Sequence, residues 1–318
     1  MFKDLNKIGS LLTLLGVGIA IYFVFLFNID ISRYRSLQEL WNLGHIFLFI
    51  VITFYAYKYY LNNLTLSVYS EIIFIAILAL VIGLFIEYVQ TFTGRNYSYF
   101  DVLLDVVGGL IGFIFFSKSI SEFNLVQKLI TYSSILTLLI LTLYPMIIVV
   151  LDDFNQRADF PILIKNESVF EVTRFKKNNI NIELVNNIDY QDKETKVLKF
   201  TFKPSKYSTA TLGTFKTDWS EYKYLVFSVY NDKETTSSFV MRIHDSKHEK
   251  IDYAYKDRFN RLIKLNNGWN EINICLNDVK NAPANRYMNM KRISQLIIFK
   301  NDVNKEQQLY FGKMRLIK

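Results

Sequence analysis

The sequence predicts a multidomain fold: a bundle of about five transmembrane α-helices followed by an all-β domain of jelly-roll or β-sandwich type. Three observations predict it. Five long apolar segments fill the first half, at residues 10–29, 43–61, 70–92, 102–117 and 129–151, and a helix crossing a bilayer takes about 20 predominantly apolar residues. The second half changes to short runs that alternate apolar and polar residues between turn signals, the period of half-buried strands. Charge divides at the same place. Residues 1–151 carry 8 Lys/Arg and 8 Asp/Glu, whereas residues 152–318 carry 29 and 21, so the whole-chain net charge of +8 belongs to the second half. The reading assigns 1–151 to the membrane domain, 152–164 to a linker and 165–318 to the β domain.

The first segment follows Lys3 and Lys7 in the manner of a signal peptide, but it is long and lacks a small-x-small cleavage site, so it reads as an uncleaved helix. The fourth, VLLDVVGGLIGFIFF, is short. Its Gly108, Gly109 and Gly112 suit close helix packing, with Gly108 and Gly112 four apart. Loop charges set the orientation. With the N-terminus inside, the inner segments hold Lys3, Lys7, Lys58, Lys118 and Lys128, and the outer loops hold Arg33, Arg35 and Arg95. That bias places the N-terminus in the cytoplasm and, after an odd number of crossings, the β domain outside.

This threading gathers polar residues at the outer helix ends. Trp41, Asn42 and His45 open the second segment, Glu87 and Gln90 close the third, Arg95 lies in the next loop, and Asp101 and Asp105 begin the fourth. Glu87 and Gln90 are spaced i, i+3 and Asp101 and Asp105 i, i+4, which puts each pair on one helix face. Ionisable groups in apolar segments are costly and mark functional candidates. A buried carboxylate needs a cation or hydrogen-bond donors, which Arg95 and His45 can supply. Taken singly, each has a structural reading: Arg95 as an interfacial anchor, Asp101 as a helix N-cap, His45 as a packing residue.

The combination Glu87-x-x-Gln90, Gly94-Arg95 and Asp101-x-x-x-Asp105-x-x-Gly108, with His45 opening an earlier helix, resembles the VanZ-like membrane protein family across residues 10–118. That family is associated with glycopeptide and lipopeptide antibiotic resistance in bacterial envelopes, so the resemblance implies a cell-envelope setting. This chain departs from the family at three places. Trp41 and Asn42 stand where members often carry Asp-Lys, and Asp105 replaces the usual Asn. A cation is lost and an acid gained, so a mechanism needing that lysine does not transfer. A fifth helix, beyond the usual four, would deliver the C-terminal domain to the outer side.

After Pro161 the runs TKVLKFTFK, YKYLVFSVYN, SFVMRIHD, NEINICLNDV, SQLIIFK and QLYFGKMRLI, with turn signals at Asn231-Asp232, Asn267-Gly268 and Asn301-Asp302, predict about eight strands in a sandwich. The order of Trp219, the RIHD run at 242–245, DRFN at 257–260, GWNEINI at 268–274 and the closing LYFGKMRL resembles a carbohydrate-binding-module or galactose-binding-like jelly roll. Gly312 occupies the place where such domains often carry an Asp for structural calcium, so the resemblance implies no calcium here. Sugar rings are bound by aromatic faces and polar side chains. The candidates are Arg242, His244, Asp245, His248, Tyr253, Tyr255, Asp257, Arg258 and Tyr287; Trp219 and Trp269 read as core residues at strand edges. His244 and His248 lack a metal-ligand frame, so no metal is expected, and no cofactor is implied. The basic excess suits an anionic envelope polymer, and no nucleic-acid motif is visible. Cys275 is the single cysteine and reads as a small buried strand residue.

Three functions fit these residues. The membrane domain handles an envelope glycan, glycolipid or lipid head group while the sandwich binds sugar. Alternatively, Glu87 or Asp101 serves as general base, His45 as proton shuttle and Arg95 as phosphate clamp in an intramembrane enzyme on a lipid-linked substrate. In the third, the helices only anchor an adhesive domain.

Overall fold

The computed structural model describes residues 35–92, 97–186, 196–250 and 254–318. The first predicted helix lies outside these residues, as do Arg95 and Tyr253. The chain divides into two compact units, Met1–Val150 and Leu151–Lys318.

Among the described residues, four helices are long and apolar enough to cross a membrane. They are α1 (Arg35–Tyr59), α2 (Val68–Thr91), α3 (Tyr99–Phe116) and α4 (Leu125–Asp159). Serines start two of them. The Ser67 hydroxyl accepts from Ser70 N at α2, and the Ser98 hydroxyl accepts from Asp101 N at α3, both at 3.2 Å, satisfying N–H groups that the helix leaves orphaned. The N-cap of α3 is therefore Ser98, and Asp101 sits one turn in.

The shortest helix, α3, packs against both α1 and α2, and glycines permit it. A Cβ on Gly108 would lie 2.5 Å from the Ile46 carbonyl oxygen of α1, and one on Gly112 2.7 Å from Thr53 Cβ. Opposite surfaces of the helices stay apolar and exposed: Ile73, Ile77, Val81 and Phe85 on α2, and Leu136 and Ile140 on α4. Such surfaces suit a lipid solvent, in which helices satisfy their own backbone groups.

The second unit is a β-sandwich with twelve strands among the described residues rather than about eight. One sheet runs β1 (Ile162–Ile164), β12 (Met314–Ile317), β6 (Tyr224–Asn231), β11 (Gln307–Phe311), β4 (Lys196–Phe202), β3 (Ile180–Asn186), and β9 (Gly268–Cys275) also pairs with β6. The other runs β2 (Phe175–Asn178), β5 (Ser205–Leu212), β10 (Ile293–Val303), β7 (Ser237–Asp245), β8 (Phe259–Leu265). All pairings are antiparallel.

Several boundaries differ from the sequence reading for local reasons. The closing run breaks into β11 and β12 at Gly312, whose N–H donates to Ser228 O. The end of NEINICLNDV turns into a short helix, α5 (Leu276–Asn281). Asn301-Asp302 lies inside β10, with Asp302 at φ 49°, instead of ending it. Asn267-Gly268 is a true turn, and Gly268 takes φ 82°. Cys275 ends β9 partly buried.

Residues 152–164 are not an unstructured linker. They are the last turns of α4 and strand β1, and buried charge holds them. Arg174 donates to both oxygens of Asp152, at 2.9 and 2.7 Å, and to Leu163 O at 3.0 Å. Glu171, in the 3-10 turn Val169–Arg174, accepts the backbone N–H groups of Lys165, Glu167 and Ser168. The core between the sheets centres on Phe311, whose ring meets Phe200 and Phe227 of its own sheet and Phe239 of the facing one.

Candidate functional site

The helices bring four of the six predicted polar residues together, His45, Glu87, Asp101 and Asp105; Arg95 is outside the described residues. His45, on α1, points Nδ1 at Asp105 Oδ1 of α3, 2.9 Å away, and its Nε2 lies 4.0 Å from Asp101 Oδ2. Glu87, on α2, accepts the backbone N–H of Ser98 through Oε2 at 2.7 Å. It thereby supplies from a neighbouring helix the acid that a capping box places inside its own helix, which frees Asp101 to face His45. His45, Glu87 and Asp101 each offer a ligand atom within 4.8 Å of the others. Gln90 is buried on the same helix as Glu87. The cluster excludes solvent: Glu87 and Asp105 are each 0 % exposed. Among the described residues, Glu87 Oε1 and Asp105 Oδ2 have no hydrogen-bond partner. Gly83 of α2 makes the room, because a Cβ there would lie 2.5 Å from Asp105 Oδ2.

A second buried carboxylate escaped the sequence reading. Glu71, in the first turn of α2, accepts from Tyr57 Oη (2.9 Å), Ser117 Oγ (2.6 Å) and Ser119 Oγ (2.5 Å). It joins α1, α2 and the end of α3 at the opposite end of the bundle from His45. Hydroxyl donors fully engage it, so its role is to hold the helices. The Ser117-x-Ser119 pair beyond a helix C-terminus was the only available signal.

In the sandwich, the predicted sugar-binding residues separate into two groups. His244, Asp245 and His248 are buried and Asp257 is tied to Arg286, so they do not form a sugar-facing surface. Asp245 Oδ1 accepts from Arg286 Nη2 (2.8 Å) and His248 N (3.1 Å), and Oδ2 accepts from Arg286 Nη1 (2.6 Å) and Asn289 N (2.7 Å). Arg286 also grips Asp257 through Nε and Nη2, at 2.7 and 2.6 Å. His248 Nδ1 lies 3.2 Å from Asp257 Oδ2, and the His244 ring packs against His248. Burial alone pushes the Asp245 and Asp257 carboxyls up. Hydrogen bonds and charge from Arg286, with smaller donors, reverse this and hold both below the ordinary range. Burial lowers His244. Arg286 gave no sequence signal, because its partners lie 41 and 29 residues away.

The second group lies at the outer face of the five-stranded sheet, with Arg242 and Arg258 partly buried. Arg242 of β7 stands opposite Ile297 of β10 and Asn260 of β8. Its guanidinium covers the Phe299 ring at 4.7 Å, and its Nε donates to Asn260 Oδ1 at 3.0 Å. Arg258 stacks on Tyr255 at 5.0 Å, and Tyr255 is 72 % exposed. Burial, then the charge of Arg258, pulls Arg242 down to about 10. Among the described residues neither arginine pairs with a carboxylate. Tyr207, exposed on β5, is an aromatic that the sequence reading passed over; its alternation with Thr209 and Thr211 was the available signal. A groove of about 390 Å³ adjoins this face, lined by Lys233, Ser238, Val240, Leu262, Phe299 and Gln307 among others. Lys300 also lines it and is pulled down to about 8, by burial first and then by Lys233. Tyr287 is exposed elsewhere, with the Lys280 ammonium 5.8 Å from its ring. Trp219 is a core residue, with Nε1 donating to Lys216 O, whereas Trp269 is only partly buried, beside Tyr230.

Apolar helices carrying a buried polar cluster, followed by a β-sandwich, define a membrane protein with an appended β domain. The helical part is VanZ-like: residues 6–122 match the family model VanZ/LLP1. No curated protein matches the chain. Solved structures similar to the sandwich include a family 11 carbohydrate-binding module from Clostridium thermocellum in complex with a β-1,3-1,4-mixed-linked tetrasaccharide, at 11 % identity and TM-score 0.38, covering 49 % of this chain and 94 % of that one. A family 30 carbohydrate-binding module of a cellulosomal cellulase from the same organism has 15 % identity and TM-score 0.40, covering 49 % of this chain and 96 % of that one. An exo-β-agarase has 11 % identity and TM-score 0.37, covering 45 % of this chain and 23 % of that one.

Proposed function

We propose that this is a multi-pass protein of the bacterial cell envelope, with a cytoplasmic N-terminus and an extracytoplasmic sandwich that binds an anionic glycan. The observation that carries the reading is the pair Arg242 and Arg258. Each is spread over an aromatic ring, and among the described residues neither has a carboxylate partner. Two adjacent guanidiniums repel each other, and an anion set between them relieves that repulsion while gaining charge-assisted hydrogen bonds. Tyr207 and Tyr255 add exposed ring faces for a pyranose. The net charge of the second half has the sign that attracts phosphate- or carboxylate-bearing polymers. The helix-end cluster would handle a lipid or glycan head group at the outer leaflet, and the family match supports a link to glycopeptide and lipopeptide tolerance.

Full-length protein in lipid nanodiscs, titrated with teichoic-acid-type, uronate-bearing and neutral polysaccharides, tests this. Binding is expected to favour the anionic polymers, to weaken with added salt, and to be lost in Arg242→Ala/Arg258→Ala while the fold persists. Retention of full affinity by that double variant, or no affinity of the wild type for any polymer, would refute the proposal.

A further inference from the structure

We infer that His45, Glu87 and Asp101 form a binding site for a divalent first-row transition-metal ion within the helix bundle. Three observations converge on it. The first is donor geometry. The three residues come from three helices, and their ligand atoms lie within 4.8 Å of one another. An ion with bonds of about 2.0–2.2 Å in tetrahedral geometry spaces its ligands about 3.4 Å apart, so modest side-chain rotation closes the set around it.

The second is the orientation of the histidine. Metal-binding imidazoles commonly donate their other ring N–H to a carboxylate, which fixes the tautomer and raises ligand basicity. Asp105 Oδ1 sits 2.9 Å from His45 Nδ1, leaving Nε2 turned toward Asp101. Asp105 is thus a positioning residue behind the site. The acid at this position gives the imidazole a charged anchor.

The third is an unmet hydrogen bond among the described residues. Glu87 is fully buried, and its Oε1 has no partner, although Oε2 is engaged by Ser98 N. Glu87, Asp101 and Asp105 are all buried, and among the described residues His45 is the one basic side chain paired with them. A buried carboxylate oxygen without a hydrogen-bond donor is costly, and a divalent ion would engage it. One imidazole with two carboxylates suits Zn²⁺, Mn²⁺ or Fe²⁺ better than the all-oxygen shells of Ca²⁺ and Mg²⁺. Three protein ligands leave coordination positions open, the arrangement of a site that takes water or a further oxygen ligand.

The test uses full-length protein in detergent, stripped with chelator and dialysed separately against Mn²⁺ and Zn²⁺, with bound metal counted by mass spectrometry. One equivalent per chain is expected. Glu87→Gln, which preserves shape, should abolish it. Asp105→Asn should keep the stoichiometry and weaken affinity by about 10–100-fold, the usual effect of losing an outer partner. Glu71→Gln, at the other buried carboxylate, should leave uptake unchanged. Thermal unfolding in detergent confirms that each variant is folded. Absence of uptake by the wild type, or equal uptake by a folded Glu87→Gln variant, overturns the inference.

Discussion

Arg286 lends itself to a quantitative test because its removal changes both the size of the stability and the sign of its pH dependence. Its guanidinium makes four hydrogen bonds of 2.6 to 2.8 Å to Asp245 and Asp257. Asp245 is 0 % exposed, and Asp257 is partly exposed. In Arg286→Met the stem packing is largely kept, Asp257 rehydrates, and Asp245 stays buried as an anion with only the N–H groups of His248 and Asn289. Stripping the partner from a buried ion pair costs about 3–5 kcal/mol, and the two surviving backbone donors argue for the lower end, about 3. For a domain of this size that is a fall in Tm of roughly 6–12 °C.

The pH dependence separates this explanation from lost packing. In the wild type both carboxyls are held below the unfolded value of about 3.9. The unfolded chain therefore binds more protons in that window, and this stabilisation is lost as pH falls through the depressed values. In the variant, burial without Arg286 pushes Asp245 up, so the native state takes the proton first and acidification relieves the strain. The difference in unfolding free energy between the two proteins should narrow as pH falls from 7 to 4. Urea unfolding of full-length protein, followed through the buried Trp219, measures it. A gap that is constant with pH, or smaller than about 1 kcal/mol at pH 7, refutes the ion-pair account. Asp245→Asn in the Arg286→Met background should recover part of the loss.

Two further outcomes follow from the packing. Gly108→Ala forces a methyl against the Ile46 carbonyl, a backbone atom that cannot swing aside; overpacking of this kind costs about 1–3 kcal/mol, and thermal unfolding in detergent should show a larger loss than Gly109→Ala, whose added Cβ would meet Ala79 Cβ at 3.2 Å. Arg174→Met leaves Asp152 buried without its guanidinium and should cost about 3–5 kcal/mol of sandwich stability; unchanged urea unfolding would show that the buried network is dispensable.

The membrane helices were legible because lipid demands long uninterrupted apolar runs, and that demand is local in sequence. α2 and α3 begin within a few residues of their predicted starts, and the serines that cap them precede the apolar runs directly. Strands were less legible. β2, β3 and β5, reading FKKN, INIELVN and SKYSTATL, each place polar or charged residues on an exposed face, so their apolar signal is thin and pairing with neighbours decides them. The supposed linker was misread for a related reason: Asp152, Arg174 and Glu171 look like solvated charges until folding buries them against one another.

The two candidate sites differ in the same respect. On the sheet face, a period of two predicts which side chains share a surface, yet it could not tell that Asp245 and Asp257 would be consumed by Arg286 while Arg242 and Arg258 find no acid among the described residues. In the bundle, spacing along α2 and α3 puts Glu87 with Gln90 and Asp101 with Asp105 on shared helix faces, but the division of labour among the acids is a tertiary fact. Ser98 takes the N-cap, Glu87 reaches across from α2 to satisfy the Ser98 N–H, and Gly83 opens the space that Asp105 fills. Only because those tasks are met by other residues does Asp101 keep its carboxylate turned to His45 instead of capping its own helix. A set of acids that each had a bland local reading thus becomes a single buried constellation, with one carboxylate oxygen of Glu87 left without a partner among the described residues.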